Sequence, residues 1–495
     1  GRKGRAFPDG RRLSRERRTW IYFLKSLLPS GFASKRRSLG GREHFCFGKS
    51  RHSGSHPIGG IDSGPTVGER GLVTRGRRAL GVLAVIAVIV AVSGAKTAGA
   101  AASGSMATRA ATTAAAAGTA VASGAPLPPK QRARLRAAVR NALRIAASPG
   151  AVVAVQTPRG RWVRAFGIAN ERSRARMRTD VHQRIGSVTK TFTGALLMQL
   201  VGEGRLSLDD TIDRYVGGVP NGDTITLRQV ADMTSGVASY TANPAFMQAL
   251  FSDPEQRWRP RQLLDVGLRD SPLFSPGTAF QYSDSNYVLL GLVIRQVEGR
   301  PLRAVLRKRI LDPLKLAQTS WPGGSTALPK PFSRGYTLQG QASDEPADAT
   351  HWNPSSEWAA GEMISTVRDL LVYGRAFGTG KGLLRPAQQR ERLHSFDPKI
   401  PPESATLSYG IGLVDDRGWI GHTGSVPGYT TAVYYRPAIR TTVVVEANSD
   451  IVSGSCPNQP TLIDDPISRP CAIPADRIMG AVAASLRHPY QLPPG

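Results

Sequence analysis

The sequence predicts an α/β fold of the α+β type, with one antiparallel sheet built from both ends of the folded part of the chain. Two segments of strand composition, 151–157 and 162–168, open this part, and four more lie between residues 409 and 447. The residues between the two groups have mainly helical patterns. Strands at both ends with helices between them imply a central sheet flanked by helices and an inserted, mainly helical subdomain. We expect a cleft where the two meet.

Local signals support each element in turn. Apolar residues at helical spacing predict an amphipathic helix over 130–147, which Pro149-Gly150 ends. The first two strands flank the turn residues Pro158-Arg159-Gly160, as in a hairpin. The later strands are predicted at 409–414, 419–423, 430–435 and 441–447. A closing helix over 475–487 is expected to pack back on the sheet.

The formal charge of +29 lies mostly outside the predicted folded part of the chain. Residues 1–78 hold 19 Lys and Arg against 5 Asp and Glu, and residues 79–150 hold 8 against none, which leaves 38 against 31 downstream. The nearly balanced charge of the folded part argues against a nucleic-acid partner. The alternative, a basic protein that binds nucleic acid or cell wall, predicts that function depends on residues 1–78 and not on Ser187.

The first 128 residues are predicted to precede the folded domain. Residues 1–72 are rich in Arg, Gly and Ser, and are interpreted as disordered or as translated upstream sequence. Residues 73–100 have the basic start, apolar run and Ala98-Gly99-Ala100 site of a bacterial signal peptide. An uncut segment that tethers the folded domain to the membrane is the alternative. Residues 101–128 are interpreted as a low-complexity linker, and 129–490 as the domain of a secreted or cell-envelope protein.

Cys456 and Cys471 are the only cysteines in the predicted folded part. Export permits a disulfide, so the two are predicted to close one loop, with free thiols as the alternative.

The segment Gly186-Ser187-Val188-Thr189-Lys190 opens a strongly apolar helical stretch. Residues three apart share a helix face, so Ser187 and Lys190 can meet. A serine hydroxyl needs a base to take its proton, and an amine can do so only when it is neutral. Because burial and a helix N-terminus disfavour the ammonium form, we expect Lys190 to be at least partly neutral and to serve as base, or to share that role with a second group.

Two further motifs follow in order. Tyr282-Ser283-Asp284 precedes an apolar helix over 287–297, and His422-Thr423-Gly424 lies on a predicted strand. Serine, then tyrosine, then a basic Thr-Gly strand resembles the serine β-lactamase and penicillin-binding protein superfamily. Within that superfamily the chain looks most like secreted D-alanyl-D-alanine carboxypeptidases and class C β-lactamase-like proteins. The likeness covers roughly residues 130–450 and includes the flanks 204–210, 225–228, 234–236 and 360–366.

The resemblance implies a β-lactamase/transpeptidase-like fold and a role for each motif. Ser187 would be the nucleophile, and Tyr282 would relay protons with Lys190, which is expected to lower the pKa of the phenol. The backbone amides of Ser187 and Ser425 would form the oxyanion hole. Asp284, His422, Thr423 and Gly424 would contact the substrate.

Two residues depart from the family pattern. Asp284 stands where many members carry Asn, and a carboxylate cannot donate to a substrate carbonyl. His422 stands where Lys is usual, as in some carboxypeptidases and esterases of the group, and its charge near neutral pH is left open.

The sequence therefore predicts a serine hydrolase that works through an acyl-enzyme, with no metal or cofactor. Its substrate would be a small peptide, ester or β-lactam, with D-alanyl-D-alanine cell-wall peptides favoured and peptidoglycan as a candidate partner. An esterase or β-lactamase of the same fold is an alternative, as is a penicillin-binding or sensing module without turnover. No G-x-S-x-G elbow, H-E-x-x-H pair or phosphate-binding Gly-rich loop occurs in the sequence.

Overall fold

A computed structural model describes residues 124–401, 403–404, 406–456 and 470–491. The predicted leader, export segment and most of the linker lie outside these residues. No helix among the described residues is long and apolar enough to cross a membrane.

The centre of the fold is an eight-stranded antiparallel sheet in the order β3-β2-β1-β12-β11-β10-β9-β8. Its strands are β1 (Gly150–Thr157), β2 (Gly160–Asn170), β3 (Ala175–Arg176), β8 (Leu407–Gly410), β9 (Leu413–Asp416), β10 (Trp419–Val426), β11 (Tyr429–Arg436) and β12 (Thr441–Ala447). Strand β1 pairs with β12, nearly 300 residues later, so that Val153 lies opposite Val445. The predicted sheet from both chain ends is confirmed.

Outside the main sheet, the described chain forms helices and two short strand pairs that are joined by loops. The helices are α1 (Pro129–Leu143), α2 (Thr189–Gly202), α3 (Leu227–Ala231), α4 (Pro244–Ser252), α5 (Pro260–Gly267), α6 (Asp284–Glu298), α7 (Leu302–Leu306), α8 (Asp312–Leu314), α9 (Trp358–Gly361), α10 (Val367–Thr379), α11 (Pro386–Leu393) and α12 (Pro474–Ser485). Two small antiparallel pairs are β4 (Gln183–Arg184) with β7 (Ile364–Ser365) and β5 (Tyr336–Thr337) with β6 (Ala347–Asp348).

The sheet separates two hydrophobic cores. On one face, α1 and α12 cover alternate apolar side chains of the central strands, including Val153 and Val443. On the other face, α2, α6, α10 and the helical subdomain bury the larger core, including Phe192 and Leu289. Side chains of a strand alternate between faces, so each face supplies one core.

The strand predicted at 409–414 is in fact two strands, β8 and β9. The chain turns between them at Ile411-Gly412, where Gly412 adopts a φ of 65°. A Cβ at Gly412 would lie 2.7 Å from the Lys190 carbonyl oxygen, so the turn packs directly on α2. This positive φ and close approach suit only glycine. The prediction missed the turn because the composition on both sides of it is that of a strand.

The folded part also begins earlier than predicted. Leu127, assigned to the linker, is only 1% exposed, and its amide donates to the carbonyl of Arg161 in β2. The last linker residues therefore belong to the domain.

The predicted disulfide between Cys456 and Cys471 is present. The segments that carry the two cysteines pair at Ser453 with Ala472 and at Ser455 with Pro470. The Arg477 side chain, on α12, donates to Ser453 and to the Pro470 carbonyl. The two cysteine-bearing segments are thereby held against the last helix.

Candidate active site

Ser187 lies in a short 3-10 turn, Gly186–Val188, that leads directly into α2. Gly186 has a φ of 51°, and a Cβ there would lie 2.9 Å from the Ser425 amide nitrogen on β10. A Cβ on Gly424 would lie 2.0 Å from the Ile185 carbonyl oxygen and 3.0 Å from the Ser187 amide nitrogen. Two glycines therefore let the turn and strand β10 touch, and this contact brings the amides of Ser187 and Ser425 into one small region.

Lys190 is fully buried, and its ammonium group has three acceptors. The Nζ atom donates to Ser187 Oγ at 2.9 Å, to Asp284 Oδ1 at 2.5 Å and to the Ala360 carbonyl at 3.1 Å. Three acceptors match the three N–H donors of a protonated lysine. Burial alone would lower the pKa of Lys190, but the negative charge of Asp284 raises it above its ordinary value. The expectation of a partly neutral Lys190 in the resting protein is therefore wrong.

Asp284 has the opposite role to the one expected from its motif position. Its Oδ1 pairs with Lys190, and its Oδ2 accepts from Thr241 Oγ1 at 2.9 Å. At the start of α6, the backbone amide of Asp284 donates to the Ser239 hydroxyl. Both carboxylate oxygens therefore have protein partners. The predicted substrate contact of Asp284 is not favoured by this geometry, because its carboxylate holds the charge of Lys190.

Tyr282 completes the group around the nucleophile. Its ring lies 4.8 Å from Lys190 Nζ, and its hydroxyl is within hydrogen-bonding range of both Lys190 and Ser187. Burial raises the pKa of Tyr282 to about 12, and the charge of Lys190 opposes this rise without cancelling it. Lys190 lowers the pKa of the phenol as expected, but burial raises it more, so the resting phenol is protonated. The structure does bring together the hydroxyl and amine of one stretch of chain and the phenol of another.

His422 faces the same crevice but carries no charge. Its Nε2 lies 3.1 Å from the Tyr409 hydroxyl, and its ring meets the Tyr282 ring at a centroid distance of 6.2 Å. Burial, assisted by the positive charge of Lys190, lowers the pKa of His422 to about 3. The open question about its charge is thus answered: it is neutral near pH 7.

The next residue of the third motif points elsewhere. Side chains alternate along β10, so Thr423 lies on the opposite face from His422. Its hydroxyl is within hydrogen-bonding range of Tyr434, which belongs to the core under α12. The predicted contact between the Thr423 side chain and the substrate stays a prediction. The orientation of this side chain does not favour it. Gly424 acts through its lack of a side chain, as described above.

The sequence reasoning missed Glu357, which precedes α9 close to the Lys190–Asp284 pair. Burial and the negative charge of Asp284 raise the pKa of Glu357 to about 8, although Lys190 acts in the opposite direction. A Cβ on Gly361 would lie 2.9 Å from Glu357 Oε2, so the glycine leaves room for this carboxylate. The one feature of the sequence that could have indicated Glu357 was its position just before the family-like segment 360–366.

The described residues contain no group of three or more His, Cys, Asp or Glu side chains placed to hold a metal ion.

Comparison with known proteins matches this arrangement to a family. The family model described as Beta-lactamase matches residues 135–461. The chain belongs to the beta-lactamase family. Its fold is that of the serine hydrolases of this family, and the site above lies within the matched region.

Similar solved structures include an amidohydrolase and an amidase. A D-stereospecific amidohydrolase from Streptomyces sp. is 35% identical, with 64% of this chain and 94% of that chain covered and a TM-score of 0.59. A D-amino acid amidase from Ochrobactrum anthropi SV3, complexed with L-phenylalanine amide, is 24% identical, covering 72% and 99% with a TM-score of 0.61. This second likeness shows the fold alone.

Among curated proteins, the putative penicillin-binding protein PbpX of Bacillus subtilis is 24% identical over 268 residues, 53% of this chain and 61% of that protein. The chain thus spans about three fifths of the length of this relative.

Proposed function

We propose that this protein is a serine amidohydrolase that forms an acyl-enzyme on Ser187 and cleaves amide bonds whose acyl side is a D-amino acid residue. The observation that carries the proposal is the position of Lys190 Nζ, which lies within hydrogen-bonding distance of both Ser187 Oγ and Asp284 Oδ1. The 35% identity to a D-stereospecific amidohydrolase, over 94% of that chain, supports the substrate class.

The ion pair defines how Ser187 would be activated. In the resting site Lys190 is charged and cannot accept a proton. A bound substrate excludes water from the site. Loss of this water raises the free energy of the charged Lys190–Asp284 pair more than that of the neutral pair. We therefore propose that Lys190 passes one proton to Asp284 at 2.5 Å and then accepts the proton of Ser187 as its Oγ bonds to the substrate carbonyl.

The remaining steps use the other groups of the site. The amides of Ser187 and Ser425 would hold the oxyanion of the tetrahedral intermediate. As the C–N bond breaks, Tyr282 would give its proton to the leaving nitrogen and regain one from Lys190. Water then attacks the ester of Ser187, and its proton returns through Tyr282 to the serine oxygen. Asp284 finally returns its proton to Lys190, which restores the resting ion pair, and the attacking water is the only co-reactant.

A D-alanyl-D-alanine carboxypeptidase is the second candidate, as the sequence predicted and as the similarity to a putative penicillin-binding protein supports. Such an enzyme must accommodate the terminal carboxylate of its substrate. His422 is neutral and Lys190 is already paired, so neither offers a free cation to that carboxylate. This observation favours amide substrates without a terminal carboxylate. Residues 73–100 alone support an extracytoplasmic location, where peptidoglycan would be accessible.

The test compares four substrates with the full chain: D-alanine p-nitroanilide, an N-acyl-D-alanyl-D-alanine peptide, a p-nitrophenyl ester and a fluorescent penicillin. We expect turnover of the anilide, loss of turnover in Ser187→Ala, and no change in the exposed-serine control Ser343→Ala. Mass spectrometry should detect the acyl group on Ser187. Faster turnover of the peptide would support the carboxypeptidase, and labelling by penicillin without any turnover would support a binding module.

A further inference from the structure

Helix α1 carries positive charges that no carboxylate of the described chain offsets. Residues 129–144 contain six Lys and Arg side chains and no Asp or Glu. Five of the six are exposed, on the opposite side of the helix from its buried apolar residues. We call these five the cationic face: Lys130, Arg134, Arg136, Arg140 and Arg144. None of them forms an ion pair within the part of the chain that the structure describes.

The helix does not need these charges to fold. Its apolar side packs against β1 and α12. Like charges four residues apart, as at Arg136 and Arg140, destabilise a helix. Lys130 lies in the first turn, which has no acidic residue, beside the positive end of the helix dipole. Only Arg140 and Arg144, near the other end, interact favourably with the dipole. The fold therefore does not account for the cationic face.

The neighbouring helix α12 adds no exposed negative charge to this side of the molecule. Its one carboxyl group, Asp476, is 4% exposed and accepts a hydrogen bond from Tyr490. Just after the helix, Arg487 is exposed. Because α1 and α12 together cover one face of the sheet, this layer presents exposed cations without an exposed carboxylate on either helix.

Charge complementarity favours an anionic partner for the cationic face. Upstream segments of the chain do not supply one. Residues 79–128 contain no Asp or Glu, and residues 1–78 hold 19 Lys and Arg against 5 Asp and Glu. A second copy in a two-fold arrangement would bring two cationic faces together. The partner is therefore a separate anionic molecule or surface.

The shape of the cationic face favours a broad anionic surface over a strand of nucleic acid. Its five cations extend over roughly 20 Å of helix, at a rise of about 1.5 Å per residue. The exposed residues between them are small or polar: Ala133, Ala137 and Asn141. This described helix offers no exposed aromatic side chain to stack on a base, and no large exposed apolar side chain to enter a hydrocarbon layer. Such a face fits contact with phosphate head groups without insertion.

We infer that the cationic face of α1 docks the protein on the surface of an anionic phospholipid membrane. Residues 73–100, which support an extracytoplasmic location, would place such a membrane beside the exported domain. Helix α2, which carries Lys190, packs on the opposite face of the sheet from α1. Docking through α1 therefore leaves the crevice around Ser187 accessible to substrate. The inference concerns attachment and does not depend on which amide bond is cleaved.

The experiment measures binding of the full-length protein to vesicles of phosphatidylcholine alone and of an equimolar mixture of phosphatidylcholine and phosphatidylglycerol. The α1 variant carries four substitutions: Arg134→Gln, Arg136→Gln, Arg140→Gln and Arg144→Gln. The control variant loses the same four charges at exposed residues elsewhere: Arg300→Gln, Arg303→Gln, Arg307→Gln and Lys308→Gln. Both variants keep the basic residues 1–78, so a difference between them reports the role of α1. Partition coefficients are measured by sedimentation at low and high salt.

We expect the wild type to bind the mixed vesicles, more weakly at high salt, and not to bind phosphatidylcholine alone. Each cation near an anionic membrane changes binding by about fivefold, so the partition coefficient of the α1 variant should be lower by about a hundredfold or more. The control variant should change by less than about threefold. Replacement of the same four α1 arginines by lysine, which keeps the charge, should restore binding. Thermal unfolding reports whether each variant is folded.

Equal weakening in the α1 and control variants, or no weakening in the α1 variant, overturns the inference, because another basic part of the chain would then bind the vesicles. Equal binding of the wild type to both vesicle compositions overturns it as well. The wild type is also examined by size-exclusion chromatography and titrated with a DNA duplex. A dimer that the α1 substitutions disperse would assign the cationic face to a second copy instead. Tighter binding to DNA than to vesicles, abolished by the same substitutions, would assign it to nucleic acid.

Discussion

At the scale of single residues, Asp284 determines the protonation of the active site. A family member with Asn at this position would leave the buried lysine without a negative partner, and burial would then favour the neutral amine. Here the carboxylate keeps Lys190 charged through a 2.5 Å contact. The base is therefore available only after a proton has moved, and the cost of that step is added to the barrier.

Replacement of this carboxylate should change the pH profile in a defined direction. In Asp284→Asn the pKa of Lys190 should fall, because its largest stabilising partner is lost while its burial remains. The wild type transfers the Lys190 proton internally to Asp284, whereas the variant lacks this acceptor and must first lose that proton to solvent, so the acid limb of its kcat/KM profile should lie at higher pH by about one unit or more. The exposed-residue control Asp344→Asn should leave the profile unchanged. An unmoved acid limb in Asp284→Asn would show that Lys190 is not the base.

Gly424 is a second residue whose identity can be tested. A Cβ there would lie 2.0 Å from the Ile185 carbonyl oxygen, so the turn that carries Ser187 must move. In Gly424→Ala we expect kcat to fall about a hundredfold or more, because the oxyanion donors lose their alignment. Gly217→Ala, where a Cβ meets no atom within 4 Å, is the control. Wild-type kcat in Gly424→Ala would refute the predicted oxyanion hole.

At the scale of elements, the pattern of the chain revealed more of the fold than of the site. Periodicity located α1, β1, β2 and α12 to within a few residues, because each has its own apolar face. The contact between Lys190 and Asp284 joins residues 94 apart, and no local pattern contains it. The sequence identified the motif that contains Asp284, but it did not show that the Asp284 carboxylate pairs with Lys190. For that reason Lys190 was expected to be partly neutral.

The loop closed by Cys456 and Cys471 should stabilise the element it precedes. A cross-link that spans 15 residues is expected to contribute roughly 3 kcal/mol in the chain-entropy model. In Cys456→Ser with Cys471→Ser we expect the free energy of unfolding, measured by urea denaturation, to fall by about that amount. Reductant should destabilise the wild type similarly and leave the double variant unchanged. Equal stability of the oxidised wild type and the double variant would contradict a structural role for the bridge.

At the scale of the whole molecule, the described residues include several buried carboxyl groups that hold their protons near neutral pH. Burial raises the pKa of Asp416, Asp450 and Asp476 to about 7. Asp450 accepts from Thr337 and Gln339 through one oxygen, and its other oxygen has no partner. Asp476 accepts from Tyr490 at 2.7 Å. These groups stabilise the fold in their protonated form.

The sign of the pH dependence follows from these shifts. Between the unfolded pKa of about 4 and the folded value of about 7, the native state binds more protons than the unfolded state. The contribution of these groups to the free energy of unfolding is fully present below pH 4 and is lost as the pH rises through 7. His422, with its lowered pKa of about 3, acts in the opposite direction below pH 6.5, but it is one group against several carboxyls.

We therefore expect the urea midpoint of the wild type to fall as the pH is raised from 5 to 7. In Asp450→Asn this fall should be smaller, because an amide has no proton to lose while it keeps a carbonyl oxygen for Thr337. The difference between the two proteins at pH 5 and at pH 7 isolates this carboxyl from all other titrating groups. A fall of the same size in both proteins would mean that Asp450 is already ionised at pH 5 and that the buried oxygen without a partner is solvated.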